Sequence, residues 1–465
     1  MSGQRLSALD ASFLAIEGPS APMHIGWVTV FDPPENGSGA AFAEVFAHIA
    51  GRLGLAPRFR QRLAEVPLGL HAPIWIDDAG FDPAVHLLHA EGGDLSALTN
   101  AIFSAPLARD RPLWEIWIAD GLPDGGFALI GKAHHCMVDG MAMAQLANLL
   151  LESKPDADGA ESQEEADEWS PARAPSGGER LVRGLVDRAA DGAALALAPV
   201  RLASSPSRVW GLPGAAGRGA RMLAHTVLPP APSSLFNLSG SGERRHVRVS
   251  RSLDDLRTLR RRFGVTPNDI VLATCAGALR RFIERRGEAP QALKVMVPAN
   301  VRSHSDAADS GNRISFVFIE LPCHEPDPVA RLNTIHRQTA QRESDGEAKD
   351  LDAAFQAVAL APGPVQRVAA HAFAHPRLSN LTISTMPGPA APRYLCGGEL
   401  REAYMAVPLA NRHALSIGLV TVAGRACFAV YADAKTLPDA DALGSDLDGA
   451  LDELLATQPS SSDKG

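Results

Sequence analysis

His134 and His135 stand side by side, and Asp139-Gly140 follows with three residues between. Imidazole titrates near neutrality, so a histidine at the rim of a cleft suits the removal of a proton from a hydroxyl. Three readings compete: a general-base site, a metal site, or a plain strand-to-helix junction. Phe127 to His135 is an apolar run that predicts a strand. Gly140 to Ser153 predicts a helix with Met141, Leu146, Leu149 and Leu150 on one apolar side. The pair then sits at the carboxyl end of a strand, the edge at which α/β sheets bind ligands. Neighbouring side chains of an extended chain point to opposite faces, so the two imidazoles do not converge on one atom. One faces the structure and the other a cleft. That disfavours a metal, and no third ligand follows at a suitable spacing. Asp139, at the helix start, has an N-cap as its plain structural role.

The surrounding chain supplies elements able to hold such a pair. His24 to Asp32 and Pro112 to Leu122 read as strands, and residues 40–54 read as an amphipathic helix. Residues 154–180 are acidic, rich in Pro, Gly and Ser, and poor in large aliphatics. They predict a flexible linker that closes a first half at about residue 153. In residues 181–241, Leu181, Val182, Leu185, Val186 and Ala189 share a face opposite Arg183, Asp187 and Arg188. This segment reads as a crossover, or as a surface that touches lipid. A second α/β half spans 242–456, with a strand entering a basic helix near Arg244 and a well-signalled helix after Thr266. Residues 457–465 form a polar tail, expected to be disordered.

Composition narrows the function. Hydrophobic residues make up 46% of the 465, which allows a large core. The net charge of −9 argues against a nucleic-acid partner. Five scattered cysteines without a CxxC pair fit a reducing cytoplasm rather than a disulfide framework. The most apolar run, residues 192–200, is far shorter than the ~20 residues that span a bilayer. Any membrane contact is therefore peripheral. In this acidic chain the run Arg244, Arg245, Arg248, Arg251, Arg257, Arg260, Arg261 and Arg262 is either a solvated face or a dock for phosphates or anionic lipid.

His134-His135-Cys136-Met137-Val138-Asp139-Gly140 matches the HHxxxDG motif of chloramphenicol-acetyltransferase-like, CoA-dependent acyltransferases. The chain resembles, more narrowly, the bacterial wax ester synthase/diacylglycerol acyltransferase family. The supporting blocks are LSALDASFLAIEGPSAPMHIGWVTVF from Leu6, RPLWE from Arg111, Asn268-Asp269, VPANVR ending at Arg302, and Gly311-Asn312. They occur in that family's order over nearly the whole chain. Two positions depart from the pattern: Thr385, where many members carry asparagine, and Ala142, where many carry serine.

The resemblance implies an α/β fold of two chloramphenicol-acetyltransferase-like halves with mixed sheets and an active-site tunnel between them. It implies His135 as general base, with His134 and Asp139 completing the catalytic motif and Asp139 structural. Gly140, Asn268, Asp269 and Arg302 would support it. Thr266-Pro267-Asn268-Asp269 equally fits N-cap to N3 of a helix, so capping and site support both stay open for Asn268 and Asp269. Glu17, Arg244, Arg245 and Arg261 are the substrate-binding candidates, with packing under the first strand the plainer role for Glu17. The implied reaction moves a long-chain acyl group from acyl-CoA, a substrate, to diacylglycerol or a fatty alcohol, with no metal or prosthetic cofactor. The enzyme would be cytoplasmic, at a membrane or lipid-droplet surface. Two alternatives remain: a condensation-type acyltransferase fed by a carrier protein, and a non-catalytic lipid-binding or droplet-coating protein.

Overall fold

The computed structural model describes residues 3–34, 42–70, 72–91, 93–138, 140–155, 169–203, 229–238, 240–300, 314–359, 361 and 363–458. Its first part contains strands β1 (Gln4–Arg5), β2 (His24–Phe31), β3 (Gln61–Ala64), β4 (Ile74–Asp77), β5 (Leu87–His89), β6 (Trp114–Ala119) and β7 (Phe127–His134). The helices there are α1 (Ala8–Ile16), α2 (Phe42–Arg52), α3 (Leu95–Ser104), α4 (Gly140–Leu150) and the long α5 (Gly177–Ala203). The second part contains β8 (Arg244–Ser252), α6 (Leu253–Phe263), α7 (Pro267–Arg285), β9 (Leu293–Asn300), β10 (Ile314–Leu321), α8 (Pro328–Ser344), α9 (Glu347–Ala359) and α10 (Gly363–Phe373). It ends with β11 (Leu381–Pro387), β12 (Tyr394–Leu395), β13 (Gly398–Ala406), β14 (Leu415–Val422), β15 (Arg425–Asp433) and α11 (Ala442–Ala456).

Two six-stranded mixed sheets form the two expected α/β halves, in the orders β12-β13-β2-β7-β6-β5 and β10-β9-β11-β14-β15-β8. A small third sheet, β1-β4-β3, flanks the first. Strand β7 is buried along its whole length, as an interior strand must be when both its edges and faces are covered. Its Gly131 is obligatory: a Cβ there would lie 2.0 Å from the Trp27 indole on β2.

The halves are more interwoven than the sequence suggests. Strand β13 lies in the second half of the chain but pairs antiparallel with β2 in the first sheet, with a bulge between Leu400 and Glu402. The edge strand β8 is covered by α3 of the first half. Its Arg244 and His246 N–H groups donate to Ser104 Oγ and Asn100 Oδ1, both at 2.8 Å. Side chains thus satisfy a strand edge that would otherwise invite pairing with another chain.

The expected linker lies partly outside the described residues. Its described end, residues 169–180, does not behave as a free tether. Trp169 lies under the Arg60 guanidinium and meets the edge of Phe81, Ala172 N–H donates to Asp77, and α5 already starts at Gly177. One aromatic anchor outweighs a composition that is otherwise polar. Residues 204–228 and 239 of the crossover and the tail beyond 458 also lie outside the described residues. No described helix is long and apolar enough to cross a membrane.

Candidate active site

The antiparallel register of β2 and β7 sets His24 opposite His134 at the sheet edge where both strands meet the loops. His134 is fully buried, and its Nδ1 accepts the Cys136 N–H at 3.1 Å. The ring proton therefore sits on Nε2, which lies 3.7 Å from Glu17 Oε1, beyond hydrogen-bond reach. Burial, reinforced by the nearby Arg109 charge, pulls the His134 pKa down to about 3. Burial also holds His24 at about 3, with the His134, Lys132 and Arg244 charges as lesser contributors. Both imidazoles are neutral at physiological pH.

His135 is the first residue beyond β7, half-buried, and its ring stacks on Phe13 of α1 with centroids 3.8 Å apart and planes within 9°. Its backbone N–H donates to Met23 O at 3.0 Å. Met23 adopts a left-handed backbone (φ 51°) while 4% exposed, a conformation costing about 1–2 kcal/mol in a non-glycine residue. A strained turn on one side and an aromatic stack on the other fix this imidazole's direction. His134 is fully buried, whereas His135 is half-buried with its ring against Phe13.

Glu17 caps the C-terminus of α1, and its carboxylate receives the Arg109 guanidinium beside His134. The plainer expectation of packing under the first strand is too modest for it; the chain brings it to the motif across 117 residues. Arg109 and Phe13 went unnoticed in the sequence, because neither carries a local pattern. Gly140 opens α4, whereas Asp139 and Arg302 lie outside the described residues.

In the second half, Asp269 completes a capping box with Thr266 and is fully buried. It also accepts His336 Nδ1 at 2.8 Å and Thr339 Oγ1 at 2.6 Å. Burial works against its charge, but the bonds from Thr339, Thr266 and His336 prevail and keep the carboxyl below its ordinary range. Asp269 thus fills the capping role that its spacing from Thr266 allows. Asn268 is half-buried at the same helix start, and Thr385 Oγ1 approaches its Oδ1 at 3.4 Å. The departure at Thr385 therefore leaves a hydrogen-bonding group facing Asn268.

The arginines of the run take separate partners in the fold. Arg244 is 3% exposed, bonds Asp433 Oδ2 at 3.1 Å and Ser20 O at 2.7 Å, and is an internal clamp rather than a phosphate ligand. Arg245 pairs with Asp441 at 3.1 Å. Arg251 reaches Asp448 and Asp452, and Arg262 binds the carbonyls of Leu455 and Thr457. Arg261 is exposed in the last turn of α6, where a cation suits the helix dipole. Sequence clustering gave these residues one role; their partners, far along the chain, give them several. Among the described residues no group of three His, Cys, Asp or Glu side chains is arranged to hold a metal, and all five cysteines are free.

Residues 6–271 match the wax ester synthase/diacylglycerol acyltransferase catalytic domain, and residues 310–455 match the C-terminal domain of the same family. The chain belongs to this family. It is 32% identical over 461 residues to a probable diacylglycerol O-acyltransferase of Mycobacterium tuberculosis, covering 96% of this chain and 97% of the relative. A second putative diacylglycerol O-acyltransferase of that organism is 33% identical over 477 residues, covering 97% of this chain and 90% of the relative. The solved wax ester synthase/diacylglycerol acyltransferase from Marinobacter aquaeolei VT8 shares the fold at a TM-score of 0.68 and 24% identity, over 97% of this chain and 98% of that one. The starter condensation domain of rhizomide synthetase shares it at 0.59 and 16%, over 98% and 96%. The chain is thus an acyltransferase, and the HHxxxDG segment lies inside the matched catalytic domain.

The buried histidines have a consequence for stability. His24, His134 and His246 each titrate at about 3 in the folded protein, in each case chiefly through burial. In the unfolded chain they titrate near 6.5. Between those values the unfolded chain binds more protons, so their contribution is complete above about pH 6.5 and fades as pH falls. Each histidine removes up to about 1.4 kcal/mol per pH unit. Urea midpoints measured at pH 8, 6.5 and 5 should be similar for the first two and clearly lower at the third. A flat series would contradict the neutral, buried assignment.

Proposed function

We propose that His135 is the general base of an O-acyl transfer from a long-chain acyl-CoA to diacylglycerol or a long-chain alcohol, giving triacylglycerol or a wax ester. The observation that carries this reading is the half-buried His135, its ring stacked on Phe13 and its backbone bonded to Met23, inside the family's catalytic domain. The acceptor O–H gives its proton to this imidazole as its oxygen attacks the thioester carbonyl carbon. The tetrahedral oxyanion collapses, the C–S bond breaks, and the CoA sulfur takes the proton back from the imidazolium. His134 and the Glu17–Arg109 pair orient the turn. Asp139, Arg302 and Asn268 are the supporting residues we assign to the motif and to the facing half. Acyl-CoA enters as substrate, and no metal or prosthetic group has a part in these steps.

The acceptor should be long and apolar, held in a channel between the two large sheets, with the enzyme working peripherally at a membrane or droplet surface. A buried CH₂ contributes about 0.8 kcal/mol. With palmitoyl-CoA fixed, kcat/KM for linear alcohols should therefore climb from butanol to hexadecanol and level once the channel is full, read as CoA release. Dioleoylglycerol in the same assay decides between the two acceptor classes. A peak at butanol, or a preference for amines, would remove the lipid-ester assignment.

A further inference from the structure

Phe13 sits on α1, a helix in which no residue is either fully buried or fully exposed. The helix is pinned at its start, where Ser7 Oγ accepts the Asp10 N–H at 3.0 Å, and it packs against α10 of the second half. Ala11 and Leu14 turn to the core of the first half. Phe13 lays its ring on His135, with centroids 3.8 Å apart and planes within 9°. Carbon atoms in contact stand about 3.5 Å apart, so the two rings are displaced sideways by at most about 1.5 Å. That is close to a face-to-face sandwich.

Two neutral aromatic rings disfavour this arrangement, because each presents an electron-rich face to the other. A cation over the same face is attracted to it. The stack therefore changes character with the charge on His135: weak while the imidazole is neutral, attractive once it is an imidazolium. In the acyl transfer that charge exists only while the acceptor proton rests on the ring, between attack on the thioester and departure of CoA. The bond from the residue 135 N–H to Met23 O and the packing of α1 hold the two rings in register before the charge appears. Stabilisation that is already in place costs no rearrangement at the moment of reaction.

We propose that Phe13 is a positioning residue that acts through His135: its ring face stabilises the imidazolium formed in the transition state, without adding a charge or a hydrogen bond. The proposal rests on His135 as general base and adds a second residue to that step. A residue that only packed beside His135 would need volume at position 13, whereas this role needs the electron-rich face. The two are separable, because fluorine withdraws electron density from a ring face and barely alters the ring's size.

The test replaces Phe13 in the full chain by mono-, di- and pentafluorophenylalanine and by cyclohexylalanine, and reads single-turnover CoA release with palmitoyl-CoA and hexadecanol. The rate should fall stepwise with fluorination, by about ten-fold in total for the pentafluoro ring, and by a similar factor for cyclohexylalanine. The palmitoyl-CoA concentration that gives half the maximal rate should not change, because the imidazole is uncharged before the transfer begins. Equal rates across the fluorinated series, beside an inactive His135→Ala, would overturn the role of Phe13 and leave the general base standing. A His135→Ala variant that kept more than half the wild-type rate would overturn both. A loss with cyclohexylalanine alone would assign Phe13 to packing, against the charge-stabilising role.

Discussion

His135→Ala is expected to lower kcat/KM roughly 10²- to 10⁴-fold, the range supplied by a positioned general base. The variant should fold, because the ring is half-buried and its removal leaves the Met23 carbonyl bond intact: that bond uses the backbone of residue 135. His134→Ala should behave differently. It removes the acceptor of the buried Cys136 N–H, so it should cost about 1–3 kcal/mol of stability. Its activity per folded molecule should fall far less than that of His135→Ala. Single-turnover CoA release and urea unfolding on the two variants separate these effects. If His135→Ala kept more than half the wild-type turnover, the general-base assignment would be wrong.

The second large effect is expected at the clamp between Arg244 and Asp433. Asp433 is fully buried, and it accepts from Arg244, from the Ser241 N–H and hydroxyl, and from Thr436 N–H. Arg244 in turn holds Ser20 O, in the loop that leads to Met23 and His24. Removing one member leaves a buried charge without its counterion, which costs about 3–5 kcal/mol. Asp433→Leu should therefore destabilise by that amount and lower activity through the Ser20–His24 loop. Arg244→Met/Asp433→Leu together should cost less than the sum of the single changes, because the uncompensated charge disappears. A loss under about 1 kcal/mol for Asp433→Leu alone would show that water or another group shields Arg244.

Strand β7, helix α4 and the histidine pair between them were legible because their signals are local: an apolar run, a helical stripe and a junction at fixed spacing. The capping box at Thr266-Pro267-Asn268-Asp269 was legible for the same reason, since its partners lie three residues apart.

Tertiary structure alone decided which distant group each local signal met. Glu17 and Arg109 reach His134 from other elements, and β13 crosses from the second half of the chain to pair with β2. Nothing near Leu400 in the sequence names that partner. Trp169 turns the end of an acidic, Pro-rich stretch into a docked segment, since one half-buried ring can outweigh several polar neighbours. The stripe on α5 was readable as a period, yet periodicity carries no information about which side faces the body. Arg5, Leu70 and Val66 settle that, by attracting the charged side and admitting only Gly184 at the close approach. The sequence alone determined the motif, the helix caps and the alternation of faces, because these depend on covalent spacing. The partner of each charge and the outward turn of α5 depend on contacts between residues far apart in the chain, and only the folded protein specifies those.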